Sequence, residues 1–103
     1  MAEYDISELT PSDYAIVTVS STALTLANTS PAMPSGTKQA VITVEDDQVR
    51  YREDGTSPTA SEGHLLEAGD VLQYLGGSHE QTLAAVKFIR VTADAKLKVS
   101  YYK

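Results

Sequence analysis

The stretch Gln39-Ala40-Val41-Ile42-Thr43-Val44-Glu45-Asp46-Asp47-Gln48-Val49-Arg50-Tyr51-Arg52 decides the fold class. Its apolar residues alternate with polar ones on either side of an acidic pair, a period of two that suits a strand with one buried face and does not suit a helix. A two-residue turn at Asp46-Asp47 would pair Val44 with Val49, Thr43 with Arg50 and Ile42 with Tyr51. The apolar partners then share one face and the polar ones the other. The sequence thus predicts a half-buried hairpin of strands 39–45 and 48–52. Asp-Asp is a weaker turn former than Asn-Gly, so a loop one or two residues longer is the alternative, and the register holds only for the two-residue form.

Outward from this unit the same period recurs. Residues 14–19 read as a first strand and 24–26 as a short second one, with Leu24 and Leu26 on one face. Between residues 28 and 37, Pro31, Pro34 and Gly36 predict a loop. Downstream, Asp54-Gly55-Thr56-Ser57-Pro58-Thr59-Ala60 makes a turn and an extended stretch, and Gly63, Gly69-Asp70 and Gly76-Gly77 delimit short strands at 64–66 and 71–75. Ser78 followed by Gln81 has the form of a capping box, with Glu80 at the positive end of the helix dipole. One helical turn is expected at 79–84, then a strand at 85–91. In the last strand Ala95, Leu97, Val99 and Tyr101 alternate with Lys96, Lys98, Ser100 and Tyr102, which puts the two lysines on the wet side, where they also discourage edge-to-edge aggregation.

About seven short strands, no long helix and turns rich in Gly and Pro predict an all-β fold, an antiparallel β-sandwich or flattened barrel. At 103 residues the chain has the size of one domain. That domain spans 14–103, behind an extended acidic arm at 1–13 that carries Glu3, Asp5, Glu8 and Asp13, no Lys or Arg, and the helix breaker Pro11. A simple untethered terminus is the alternative reading of the arm.

Eight Lys and Arg against fourteen Asp and Glu give a net charge of -6, the opposite of a nucleic-acid footprint. The charge is uneven: residues 1–80 carry a net -10 and residues 81–103 a net +4. A negative body with a positive last hairpin suits complementarity between copies or toward a partner, and ordinary balance between neighbouring strands is the alternative. With no cysteine there is no disulfide framework, thiolate metal site or catalytic thiol. Residues 1–25 show neither a signal-peptide pattern nor a bilayer-spanning run, so the chain is expected to be soluble and made in the cytoplasm, away from membranes.

Catalytic chemistry has few candidates. His64 and His79 lie on different elements; the first is expected at a strand end or loop, bonded to backbone, and the second in solvent beside the helical turn. Glu45-Asp46-Asp47 and Glu53-Asp54 lack the calcium-loop spacing and lie at opposite ends of the expected hairpin. Paired carboxylates for glycoside hydrolysis need a cleft that so small a domain has little room for. Ser35-Gly36-Thr37-Lys38 lacks the spacing of a phosphate loop, and no G-x-S-x-G is present. No catalytic residue, cofactor or metal is predicted.

The run Val49-Arg50-Tyr51-Arg52-Glu53-Asp54-Gly55-Thr56-Ser57-Pro58-Thr59, then Gly63-His64-Leu65-Leu66 and Gly69-Asp70, with Phe88-Ile89-Arg90 and the closing Leu97-Lys98-Val99-Ser100-Tyr101-Tyr102, resembles a group of small phage and prophage virion proteins. In that group an arginine-bearing strand runs into Asp-Gly-Thr-x-Pro-Thr, and a Gly-x-x-Leu turn leads to a strand opened by Gly-Asp. The resemblance covers roughly residues 39–102 and implies a non-enzymatic structural part of a virion. A capsid decoration or cement protein is the first reading, bound to the phage major capsid protein; a tail or head–tail component is the nearest variant. A carbohydrate-binding sandwich used for host attachment is a rival, although its usual aromatic platform finds no Trp and a single Phe here.

The arm matches nothing in that group, and its role is read from its residues. Tyr4, Ile6 and Leu9 in the arm, together with Tyr102, the expected solvent-facing member of the closing tyrosine pair, are the candidate interface toward the shell or within a homo-oligomer.

Overall fold

The computed structural model describes residues 9–29 and 31–103. Alternating β-branched and polar residues form eight strands: β1 (Pro11–Val19), β2 (Leu24–Thr25), β3 (Gln39–Glu45), β4 (Val49–Arg52), β5 (His64–Leu66), β6 (Val71–Tyr74), β7 (Lys87–Arg90) and β8 (Ala95–Tyr102). A 3-10 turn, Leu26–Asn28, follows β2, and a helix α1 (Glu80–Ala85) precedes β7. The strands make two four-stranded antiparallel sheets, ordered β1-β8-β3-β6 and β2-β7-β4-β5. The fold is an all-β sandwich and does not close into a barrel.

The expected alternation in β8 appears in full. Ala95, Leu97, Val99 and Tyr101 are completely buried, while Lys96, Lys98, Ser100 and Tyr102 face out half-buried. Ala40, Ile42 and Val44 from β3 and Ala15, Val17 and Val19 from β1 complete the inner face of the first sheet. Opposite them lie Phe88 and Val49, and Leu26, Leu83 and Val86 fill the layer from the 3-10 turn, α1 and its C-terminus. Each large side chain so buried contributes about 1.5–3 kcal/mol.

The hairpin expected at 39–52 does not form. β3 pairs with β8 and β6, and β4 pairs with β7 and β5, so residues between Glu45 and Val49 carry the chain from one sheet to the other. Asp46 adopts φ 80°, Asp47 Oδ1 accepts the Gln48 N–H, and the Gln48 carbonyl accepts from Val91 N, which turns the chain across the sandwich. Val44 and Val49 are both buried, as a hairpin would have them, but they face each other from opposite layers.

Other expectations shift in the same way. The segment 85–103 is not a hairpin, because β7 and β8 belong to different sheets. β8 is an interior strand, so Lys96 and Lys98 guard no edge. The helix begins one residue later than the Ser78 capping box implies: its N-cap is His79, with no side-chain cap bond. The first strand starts at Pro11, three residues before the expected 14, with a bulge between Pro11 and Asp13. The last three residues of the expected arm therefore belong to the sandwich. The second strand is shorter than expected, since Leu26 opens the 3-10 turn.

Candidate interaction surface

The motif that carries the resemblance folds into a tied loop. On β4, Arg50 Nε donates to Ala60 O at 3.0 Å and Nη1 donates to Gly63 O at 2.9 Å. Thr59 and Glu62 close the loop with a backbone bridge. At Gly63, φ is +136°, and an added Cβ would meet Tyr51 O at 3.1 Å, Pro58 Cβ at 3.2 Å and Arg50 Cβ at 3.3 Å, so the position needs glycine. The neighbouring Arg52 donates to Asp54, and this bond holds the Asp54 carboxyl below the usual carboxylate range. An open cleft of about 590 Å³ runs between Arg52, Glu53, Asp54, Glu62, Gly63 and His64. The His64 ring stands exposed at the strand end, 5.2 Å from the Tyr51 ring.

Among the described residues several carboxylates are individually tied to a partner. Glu53 accepts from the Tyr74 hydroxyl, whose ionisation burial, followed by this bond and the Glu53 charge, pushes far up. Glu45 pairs with Lys98 at 3.2 Å, and Asp94 pairs with Arg90. These cross-links neutralise part of the basic C-terminal segment inside the molecule. Among the described residues no three of His, Asp and Glu converge as a metal group. His79 is half-buried rather than in solvent: Nε2 lies 2.9 Å from Leu75 O and its ring 5.7 Å from Tyr74.

The outer face of the first sheet is an exposed β surface among the described residues. Cross-strand rows run Tyr14–Ser100–Val41–Gln73, Ile16–Lys98–Thr43–Val71 and Thr18–Lys96–Glu45. Its apolar members at the sheet edges are open to solvent, with Tyr14 60%, Ile16 49% and Val71 51% exposed. Of the residues singled out in the sequence, Tyr102 lies half-buried on this face, at the end where Thr10 and Lys103 exchange backbone hydrogen bonds. Leu9 is half-buried beside that pair in sequence, and Tyr4 and Ile6 lie outside the described residues. Sequence reasoning passed over Tyr14, Ile16 and Val71. The signal was present in 14–19, where residues of both parities are apolar although a two-layer sandwich leaves one face wet.

Comparison with protein-family models, with curated proteins and with solved structures finds no match. Among the described residues no helix is long and apolar enough to cross a membrane.

Proposed function

We propose that this chain is a non-enzymatic structural protein of a phage virion, a capsid decoration protein that binds the shell of major capsid protein and stabilises it. The observation that carries the reading beyond the sequence resemblance is the position of the arm's root. The Thr10–Lys103 backbone pair sets it at the end of the first sheet, beside Tyr102 and on the strand that bears Tyr14 and Ile16. The root of the arm and the outer face thereby adjoin, which suits a composite site between shell subunits. Many copies on one lattice turn modest single contacts into net stabilisation of the shell.

Co-sedimentation with expanded capsids of the phage that encodes the chain tests this reading. The full chain is expected to pellet with capsids and to raise their melting temperature. Removal of residues 2–8 is expected to reduce binding and leave the sandwich folded. Failure of the full chain to pellet with heads, or its recovery with purified tails, overturns the decoration reading; undiminished binding after truncation removes the arm from it.

A further inference from the structure

We infer that the open edge of β1 is a self-association site, at which two copies pair antiparallel about a two-fold axis through Ile16 and join their first sheets into one eight-stranded sheet. The inference concerns the isolated chain and does not rest on the virion reading.

The direction of the backbone groups carries it. Thr10 and Lys103 exchange both N–H···O bonds, and Lys38 N donates to Tyr102 O on the β3 side. Along β8, residues alternate in the strand they bond. Tyr101, Val99, Leu97 and Ala95 therefore turn to β1, where they meet Asp13, Ala15, Val17 and Val19. The N–H and C=O groups of Tyr14, Ile16 and Thr18 point the other way, out of the sheet edge.

That edge is guarded at one end only. Pro11 stands on the outward parity and has no N–H to offer, and the bulge between Pro11 and Asp13 bends the strand there. Residues 14–19 carry no charge, proline or bulge. The other three edges are short: β6 has four residues, β5 three and β2 two. A nine-residue edge strand with exposed Tyr14 and Ile16 is the arrangement that monomeric proteins avoid.

The segment complements itself. Antiparallel pairing about Ile16 sets Ile16 against Ile16 and Tyr14 against Thr18 of the second copy, so the outward backbone groups of Tyr14, Ile16 and Thr18 all find partners. The side chains brought together are apolar or neutral. Lys98, in the Ile16 row, is already paired with Glu45, and the Asp13 residues of the two copies lie far apart at opposite ends of the joint. A symmetry axis moved by one residue to Ala15 leaves Thr18 facing the Ser12 bulge. The Ile16 axis is therefore the register that uses the whole open segment.

Because the chain has no cysteine, single Cys variants read the register directly. In the proposed pairing the two Ile16 Cα atoms stand about 5.5 Å apart, within the roughly 4.4–6.8 Å a disulfide spans, whereas the two Tyr14 Cα atoms are separated by roughly 14 Å. Under oxidation Ile16→Cys is expected to give a covalent dimer. Tyr14→Cys and Thr18→Cys are each expected to form no covalent dimer alone and to cross-link when mixed. Sedimentation velocity from micromolar to millimolar protein is expected to show a reversible monomer–dimer equilibrium in the native chain. Thr18→Pro, which removes an outward N–H and leaves the β8 ladder intact, is expected to weaken it about tenfold or more without changing the circular dichroism spectrum. Val71→Lys, on the same face at the far edge, is expected to leave it unchanged. A native chain that stays monomeric at millimolar concentration, or Tyr14→Cys cross-linking alone as readily as Ile16→Cys, overturns the inference.

Discussion

In the first sheet β8 is paired along both sides, to β1 over Ala95–Tyr102 and to β3 over Lys96–Tyr102, whereas no strand of the second sheet exceeds four residues. The first sheet is stabilised by apolar area and long ladders. The second holds its outer rim through a few specific ties: the Arg50 bonds to Ala60 and Gly63, and the side-chain-free position at Gly63. The contrast teaches that two layers of one core need not share a source of order, and that a mutation of given size should spread differently in each.

The largest effect is expected from Leu97→Ala, at the centre of β8. It should lower unfolding free energy by about 2–5 kcal/mol in one cooperative transition, read by denaturant titration. A loss under about 1 kcal/mol would break the view that the long ladder rests on area. Next comes Gly63→Ala, where a positive φ and contacts of 3.1–3.3 Å predict a cost of about 1–3 kcal/mol. Amide hydrogen exchange should quicken in the loop 54–63 and β5 while β8 stays protected; acceleration in β8 would dissolve the distinction. Arg50→Ala, which removes both carbonyl ties, should cost about 1 kcal/mol with the same local signature. Arg52→Ala should have no measurable effect on stability, because its pair with Asp54 is solvent-exposed.

A small effect at neutral pH is also expected from Tyr101→Phe in β8. The Tyr101 hydroxyl is buried with no hydrogen-bond partner among the described residues, so its removal should change stability by less than about 1 kcal/mol. The difference emerges in alkali. Burial first, and the Asp13 charge second, push the Tyr101 ionisation up to about 12, against about 10 in the unfolded chain. The raised value favours the folded state fully below about pH 10, and that contribution is lost as pH rises from 10 through 12. Tyr101→Phe should therefore flatten the alkaline decline seen by thermal melts, with Tyr74 supplying the remainder. An unchanged decline would place the alkaline sensitivity at groups other than Tyr101.

The same contrast separates what was legible in the chain from what was not. The alternation of Ala95, Leu97, Val99 and Tyr101 named its buried face correctly, because a period of two is a local property. The alternation around Asp46-Asp47 was as clear, yet it led to a hairpin that does not exist. Val44 and Val49 need only face the same apolar layer, and both a hairpin and a crossing between sheets satisfy that need. At the candidate surface Tyr102 was legible from its parity opposite Tyr101. Tyr14 and Ile16 were not, because residues 14–19 are apolar on both faces and the order of strands decides which is wet.

By itself the sequence determined that this chain makes short antiparallel strands around one core, and which face of β3 and β8 is dry. Turn residues and side-chain parity act within a few residues of the chain, so they can be read in one dimension. Only the tertiary structure decided that β8 lies between β1 and β3, that the chain crosses layers after Glu45, and that β1 is the long edge strand of its sheet among the described residues. Those outcomes depend on which backbone groups meet across large sequence separations, and a burial pattern carries no record of the hydrogen-bonding neighbour.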